Sequence, residues 1–216
     1  DPEGLETAVS RAAKLSRSGK VIIEEFLSGV EISCNVLICG GEVRMKVLSE
    51  RLVHDGEAIG VPIGHLIPPK HVSAVDQRSA LALVDEIIAN LNLQAGVLYF
   101  QMIVTPGGPR VVEIAPRLDG CHMWRLIKAC YGADLIEMTM NCLTGEGAVP
   151  VVPAREGGPD MELMFQQASP ERPFSSAEFP PPDGAVYHEY RYRDGETVNP
   201  VNGVLEVVGY YVRETP

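Results

Sequence analysis

Two apolar runs joined by a short turn rich in glycine and proline constrain the fold more than any other feature of this 216-residue chain. The stretch "GVLYFQMIVTPGGPRVVEIA", residues 96–115, has strand-forming residues on both sides of that turn. A second stretch, "VEISCNVLICGGEVRMKVLSERLV" (residues 30–53), has the same form around Gly40-Gly41. Because strands joined by so short a turn pair in opposite directions, the sequence predicts a mostly antiparallel sheet.

Segments with helical periodicity precede and follow these predicted strands. Apolar residues recur at helical spacing over residues 1–15 and 71–92, and again near 121–131 and 134–143. The segment "KVIIEEFL", residues 20–27, predicts a further short strand. Residues 54–70 are rich in Gly and Pro and predict a long loop. The fold class is therefore α+β, an antiparallel sheet flanked by helices.

The last third of the chain differs from the rest in composition. A linker-like stretch near residues 145–160 is followed by a Pro-rich segment and three short apolar stretches, "MELMFQQA", "AVYHEYRYR" and "GVLEVVGYYV". Short strands between turn residues predict a small β-rich appendage. We therefore expect a main domain over residues 1–147 and the appendage over 148–216.

Charge and cysteine content exclude several functional classes. The formal net charge of −11 opposes nonspecific binding to nucleic acid and adhesion to anionic membranes. No apolar run approaches the roughly 18 residues that span a bilayer. The five cysteines show neither a CxxC pair nor a zinc-type spacing with histidine, so we expect buried thiols in a reducing cytoplasm.

A carboxylate inside the second apolar run of residues 96–115 needs a partner, because burying it alone costs several kcal/mol, on the order of a domain's net stability. Glu113 and Gln101 each lie six residues from Gly107. A hairpin symmetric about that glycine places them opposite each other on one face, as oxygen donors for a hard divalent cation. Arg117, four residues after Glu113, either binds phosphate or pairs with Glu113, and these residues alone leave both interpretations open.

The chain resembles the C-terminal part of ATP-grasp enzymes in two stretches, "VIIEEFLSGVEIS" and "GVLYFQMIV…PRVVEIAPR". The resemblance covers roughly residues 1–147. It implies that an adenine-binding hinge is formed by Glu24, Glu25, Phe26 and Leu27, with Glu24 and Leu27 contributing backbone groups. It also implies that the Glu31 carboxylate binds the ribose hydroxyls.

The second stretch resembles the metal-binding strands of that family. The resemblance implies that Gln101 and Glu113 bind Mg²⁺ at the phosphates of ATP, and that Arg117 contacts the γ-phosphate or an acyl phosphate. Lys46 is a weaker candidate for a phosphate contact, and a solvated surface lysine is an equal alternative. Ala115 departs from the family pattern, which has a metal-binding Asn at this position.

The function implied by the resemblance is an ATP-dependent carboxylate–amine ligase that acts on small-molecule substrates in the cytoplasm. The resemblance also admits a homodimer. Because only the later part of the family pattern is present, we expect a fragment of a longer protein that is inactive alone. The alternative is a nucleotide-binding or subunit-interaction module that has lost catalysis, as Ala115 suggests. For six further residues the sequence does not decide between a substrate contact and a structural role: His54, His65, Asp119, His122, Trp124 and Arg125.

Overall fold

A computed structural model of the chain describes residues 2–55, 58, 60–154, 157–201 and 203–215. The helices in this part are α1 (Pro2–Leu15), α2 (Ala74–Leu91), α3 (Met123–Tyr131) and α4 (Leu135–Thr144), with a short 3-10 helix at Ser176–Glu178. The strands are β1 (Val30–Cys39), β2 (Glu42–Val53), β3 (Pro62–Ile67), β4 (Ala95–Thr105), β5 (Gly108–Ala115), β6 (Met161–Ala168), β7 (Ala185–Tyr190) and β8 (Glu206–Glu214). Every helix described is too short or too polar to cross a bilayer.

The eight strands form one sheet in the order β5-β4-β1-β2-β3-β6-β8-β7, and each neighbouring pair is antiparallel. The predicted α+β fold, an antiparallel sheet flanked by helices, is thus confirmed. The strands of the predicted appendage continue this sheet, since β6 pairs with β3. The division of the chain at residue 148 stays a prediction.

Each face of the sheet has its own apolar core, because successive side chains of a strand point to opposite faces. On one face, Ile32, Val36 and Phe100 pack with Val84 of α2. On the other face, residues of β1, β2, β6 and β8 pack against α3 and α4; this core includes Leu37, Met45, Leu163, Val212, Met123, Leu126 and Leu135. Polar residues of the site described below share this second face.

The strand predicted over residues 20–27 is wrong. The segment is irregular, and Ile22, Ile23 and Phe26 are exposed. Both edges of β1, the next strand along the chain, are already occupied by β2 and β4. No strand of the described part pairs with the segment, so its β-forming residues have no ladder to join.

The long loop predicted over residues 54–70 is also wrong in part, because β3 lies within it. β3 pairs with β2 on one side and β6 on the other, and its last four residues are buried. A short strand that is buried on both faces lacks the alternation of apolar and polar residues by which a strand is recognised in a sequence.

Candidate functional site

The β4–β5 hairpin places Gln101 directly opposite Glu113, as predicted, but by a different route. Thr105 pairs with Gly108, so the turn has two residues and is not centred on Gly107. That turn alone would place Val112 opposite Gln101. A β-bulge between Gln101 and Met102 adds Val112 as an extra residue and brings Glu113 onto the face of Gln101.

Gln101, Glu113 and Arg117 line one pocket of about 420 Å³ on the sheet face opposite α2. Arg51 of β2 and Tyr99 of β4 complete its wall on the sheet. The loop after β5, residues 118–121, forms the remaining side. The structure therefore brings together Gln101, Glu113 and Arg117, as predicted, with the open candidate Asp119. It adds three side chains that the sequence did not indicate, Arg51, Tyr99 and Cys121.

Glu31 adjoins this pocket through hydrogen bonds to two of its lining residues. Its Oε2 accepts from Arg51 Nη1 at 2.5 Å and from Gln101 Nε2 at 3.1 Å. The Arg51 and Glu31 side chains are 11% and 16% exposed, so the ion pair is largely desolvated. Arg51 Nη2 also donates to the carbonyl oxygen of Gly60 at 3.3 Å.

Arg117 donates to Glu113 in the structure, with 3.1 Å between Nη2 and Oε1. The Arg117 guanidinium also lies 5.2 Å from the centre of the Tyr99 ring. Both members of the ion pair are about half exposed, and such pairs contribute at most about 1 kcal/mol. A phosphate could therefore replace Glu113 as the partner of Arg117 at little cost.

The residues His65, Asp119 and Cys121 form a second polar group beside the pocket. Their potential metal-binding atoms all lie within 4.8 Å of one another. The His65 ring is fully buried, and its Nδ1 lies 3.2 Å from Ser49 Oγ. Burial lowers the pKa of His65 to about 4. Burial also raises the pKa of Cys121 to about 12, and the nearby Asp119 carboxylate adds to this rise.

Sequence reasoning missed the roles of Arg51, Ser49, Tyr99 and Cys121. One signal was present, since Ser49 and Arg51 are polar residues two apart in the predicted strand stretch of residues 30–53. Side chains two apart on a strand share a face. No local pattern indicates that Asp119, in a loop far away in the sequence, also lies at this face.

Lys46 is not brought to the pocket. Its Cα pairs with that of Val36, which belongs to the core against α2, so Lys46 lies on the opposite face of the sheet. There its ammonium group forms a 2.5 Å ion pair with Asp85 of α2. This position does not support a phosphate contact in the pocket. The Lys46 side chain is 22% exposed, so it is an ion-paired lysine and not the solvated surface lysine of the alternative.

Glu24, Glu25 and Phe26 lie in the exposed irregular segment before β1, and Leu27 is half-buried there. Of the predicted adenine and ribose residues, only Glu31 contacts the lining of the pocket. The nucleotide-binding roles of all five residues stay predictions.

The other candidate substrate contacts make structural interactions elsewhere. His54 Nε2 lies 2.7 Å from Gln167 Oε1. The His122 ring stacks on Tyr210 at 4.2 Å between ring centres. The Arg125 guanidinium lies 3.8 Å from the centre of the Trp124 ring, within a cluster at the α3 face. These contacts favour structural roles for His54, His122, Trp124 and Arg125.

Comparison with known proteins identifies the family. A family model described as "ATP-grasp domain" matches residues 4–121. The chain is 28% identical over 143 residues to carnosine synthase 1 of Mus musculus, covering 63% of this chain and 16% of that protein. It is 25% identical over 167 residues to the carbamoyl phosphate synthase large chain of Methanothrix thermoacetophila, covering 72% of this chain and 15% of that protein.

The fold is similar to that of a solved L-amino acid ligase from Bacillus licheniformis, with a TM-score of 0.73 at 16% identity. That match covers 99% of this chain and 54% of the ligase. The chain thus spans about half the length of this ligase and a smaller share of its curated relatives. Because the family model matches more than half of its residues, the chain belongs to the ATP-grasp family.

Proposed function

We propose that the chain forms the nucleotide- and metal-binding part of an ATP-dependent carboxylate–amine ligase. The observation that carries this proposal is the convergence of Gln101, Glu113 and Arg117 on one pocket, with two oxygen donors directly opposite each other. Relatives whose names denote a synthase or a ligase of amino acids support the same reaction class. Small carboxylates and amines are the proposed substrates, and ATP with Mg²⁺ the cofactors.

The donor atoms of Gln101 and Glu113 fit a magnesium ion. The amide nitrogen of Gln101 donates to Glu31, which leaves the amide oxygen for a cation. Glu113 is about half exposed and uses Oε1 for Arg117, which leaves Oε2. Two oxygen donors with room for water are typical of Mg²⁺ sites at phosphates. Bound there, Mg²⁺ would supply charge neutralisation to the phosphate oxygens.

Arg117 would act on the phosphoryl group during transfer. An oxygen of the substrate carboxylate attacks the γ-phosphorus of ATP, the bond to the β-phosphate oxygen breaks, and an acyl phosphate and ADP form. By turning from Glu113 toward the phosphoryl oxygens, the Arg117 guanidinium stabilises the charge that spreads over them. The amine then attacks the acyl carbon and displaces phosphate, with no covalent bond to the protein.

Glu31 and the segment from Glu24 to Leu27 would bind the nucleoside. The Glu31 carboxylate adjoins the pocket and already accepts two hydrogen bonds at Oε2, so Oε1 is the atom proposed for the ribose hydroxyls. The exposed Phe26 offers an apolar surface beside the backbone groups proposed for the adenine edge. A cytoplasmic location and a homodimer remain part of the proposal.

The proposal is tested by measuring nucleotide binding with the natural protein in its full length. We expect Glu113→Gln to weaken Mg-ADP binding at least tenfold in calorimetry and to abolish ADP release with a panel of amino acids. The matched control is Glu146→Gln, which makes the same change in an exposed turn after α4. Equal affinity and turnover in the Glu113 variant and the control would refute the metal-binding role.

A nucleotide-binding module without catalysis is the second candidate, and Ala115 favours it. Ala115 is buried opposite Tyr99 at the end of β5, and a methyl group cannot coordinate a cation. ATP binding with no substrate-stimulated ADP release would support this candidate over the ligase.

A further inference from the structure

We infer that His65, Asp119 and Cys121 form a binding site for one divalent transition-metal ion of the zinc class. The three residues come from β3 and from the loop after β5, and their ligating atoms all lie within 4.8 Å of one another. A tetrahedral zinc ion holds its ligands at about 2.0–2.3 Å, so small shifts of the loop would bring all three atoms into its coordination shell.

The donor types distinguish this site from the one proposed for magnesium. Imidazole nitrogen, carboxylate oxygen and thiolate sulfur together form a ligand set typical of zinc, whereas Mg²⁺ takes oxygen donors only. Gln101 and Glu113 supply oxygen donors only. The two sites therefore adjoin each other, since Asp119 and Cys121 also line the pocket of Gln101 and Glu113, but they select different ions.

Two buried polar atoms of this group lack a partner. His65 Nε2 and Asp119 Oδ2 are inaccessible to solvent and accept or donate no hydrogen bond among the described residues. The His65 side chain is fully buried and the Asp119 residue is 7% exposed. An unpaired buried polar atom costs about 1–3 kcal/mol, and more when it is charged. A metal ion would satisfy both atoms at once.

Neighbouring groups hold the two ligands in orientations suited to a metal. In the tautomer whose Nδ1–H donates to Ser49 Oγ, the lone pair on His65 Nε2 is available for coordination. The Cys121 backbone N–H donates to Asp119 Oδ1 at 2.8 Å, which leaves Oδ2 for the metal. The Arg51 guanidinium also lies near His65 and Cys121, and its ion pair with Glu31 offsets its positive charge.

The alternative ligand for three such acceptors is an organic ammonium group. Sulfur is a weak hydrogen-bond acceptor, but a thiolate is a strong ligand for zinc. The presence of Cys121 as the third member therefore favours the metal.

Metal titration of the purified chain, stripped with a chelator and free of nucleotide, tests the site independently of the proposed ligase function. We expect one Zn²⁺ per chain in competition with a chromophoric chelator, and a thiolate-to-metal charge-transfer band with Co²⁺. Cys121→Ser should abolish the band, and Asp119→Asn should weaken zinc binding at least tenfold. Ser49→Ala keeps all three ligands and should weaken binding about tenfold, by releasing the orientation of His65.

Two control variants keep the test specific. Cys142→Ser makes the same substitution in α4, and Glu113→Gln removes the negative charge of the carboxylate proposed for magnesium; both should retain the zinc stoichiometry and the band. The inference is overturned if the chain binds no zinc at micromolar concentration, or if Co²⁺ binds without the thiolate band. It is also overturned if the Cys121 and Asp119 variants fold and bind zinc as the wild type does. Binding of methylammonium that requires Asp119, without zinc binding, would assign the site to an amine instead.

Discussion

Replacement of Glu31 by Gln tests how strongly the ion pair beside the pocket depends on both of its charges. The Glu31 and Arg51 side chains are 16% and 11% exposed, so little water can replace the lost carboxylate. In the variant, Arg51 Nη2 would keep the carbonyl oxygen of Gly60 at 3.3 Å as a partner, but this neutral group does not compensate the guanidinium charge. Removal of one member of a buried pair costs about 3–5 kcal/mol. Because a Gln oxygen can still accept one hydrogen bond, we expect a loss of about 3 kcal/mol.

Urea unfolding measures this loss as a lower midpoint at an unchanged slope. The double variant Glu31→Gln with Arg51→Met removes the uncompensated charge as well, and it should recover at least half of the loss. Glu113→Gln is the matched control, because its partner Arg117 is half exposed; we expect it to cost less than about 1 kcal/mol.

Two results would refute this reasoning. A loss below about 1 kcal/mol for Glu31→Gln would show that water solvates Arg51 in the folded chain. A double variant no more stable than Glu31→Gln alone would show that the cost arises from lost packing and not from an unpaired charge.

Three further predictions concern other parts of the chain. Gly29→Ala should destabilise the fold by more than about 2 kcal/mol in urea unfolding, because the added Cβ would lie 2.1 Å from the carbonyl oxygen of Val104. As the control, Gly120→Ala adds a Cβ that meets no atom within 4 Å and should change the free energy of unfolding by less than about 0.5 kcal/mol. Burial raises the pKa of the Cys34 thiol to about 12, so mass spectrometry should find it alkylated at pH 8 only after unfolding; rapid labelling in native buffer would contradict this. Lys46→Met should leave nucleotide affinity within twofold of the wild type, because Lys46 lies on the opposite face of the sheet, and a tenfold loss would return it to the site.

The sheet and its hairpins could be predicted from the sequence because their information is local. Glycine-rich turns between apolar runs determine antiparallel pairing without reference to distant residues. The position of Glu113 was predicted correctly through two errors that cancel. The turn is one residue shorter than the symmetric hairpin requires, and the bulge at Val112 restores the register.

The errors at residues 20–27 and 62–67 have a common physical cause. A strand forms only where a neighbouring strand satisfies its backbone groups, and sequence propensity does not identify that neighbour. The segment at 20–27 has strong propensity and no described partner, whereas β3 has a weak pattern and a partner on each side. The grouping of His65 with Asp119 likewise depends on contacts between segments far apart in the chain.

The bulge at Val112 also bears on how the chain behaves at high concentration. β5 is an outer strand of the sheet, and Val112 and Ile114 are 45% and 39% exposed along it. An outer strand that is flat and apolar is a template on which a second chain can extend the sheet and begin aggregation. By interrupting the regular row of backbone N–H and C=O groups and increasing the local twist, the bulge makes that edge a poor template. The residue that orients Glu113 therefore also helps to keep the sheet from growing beyond one molecule.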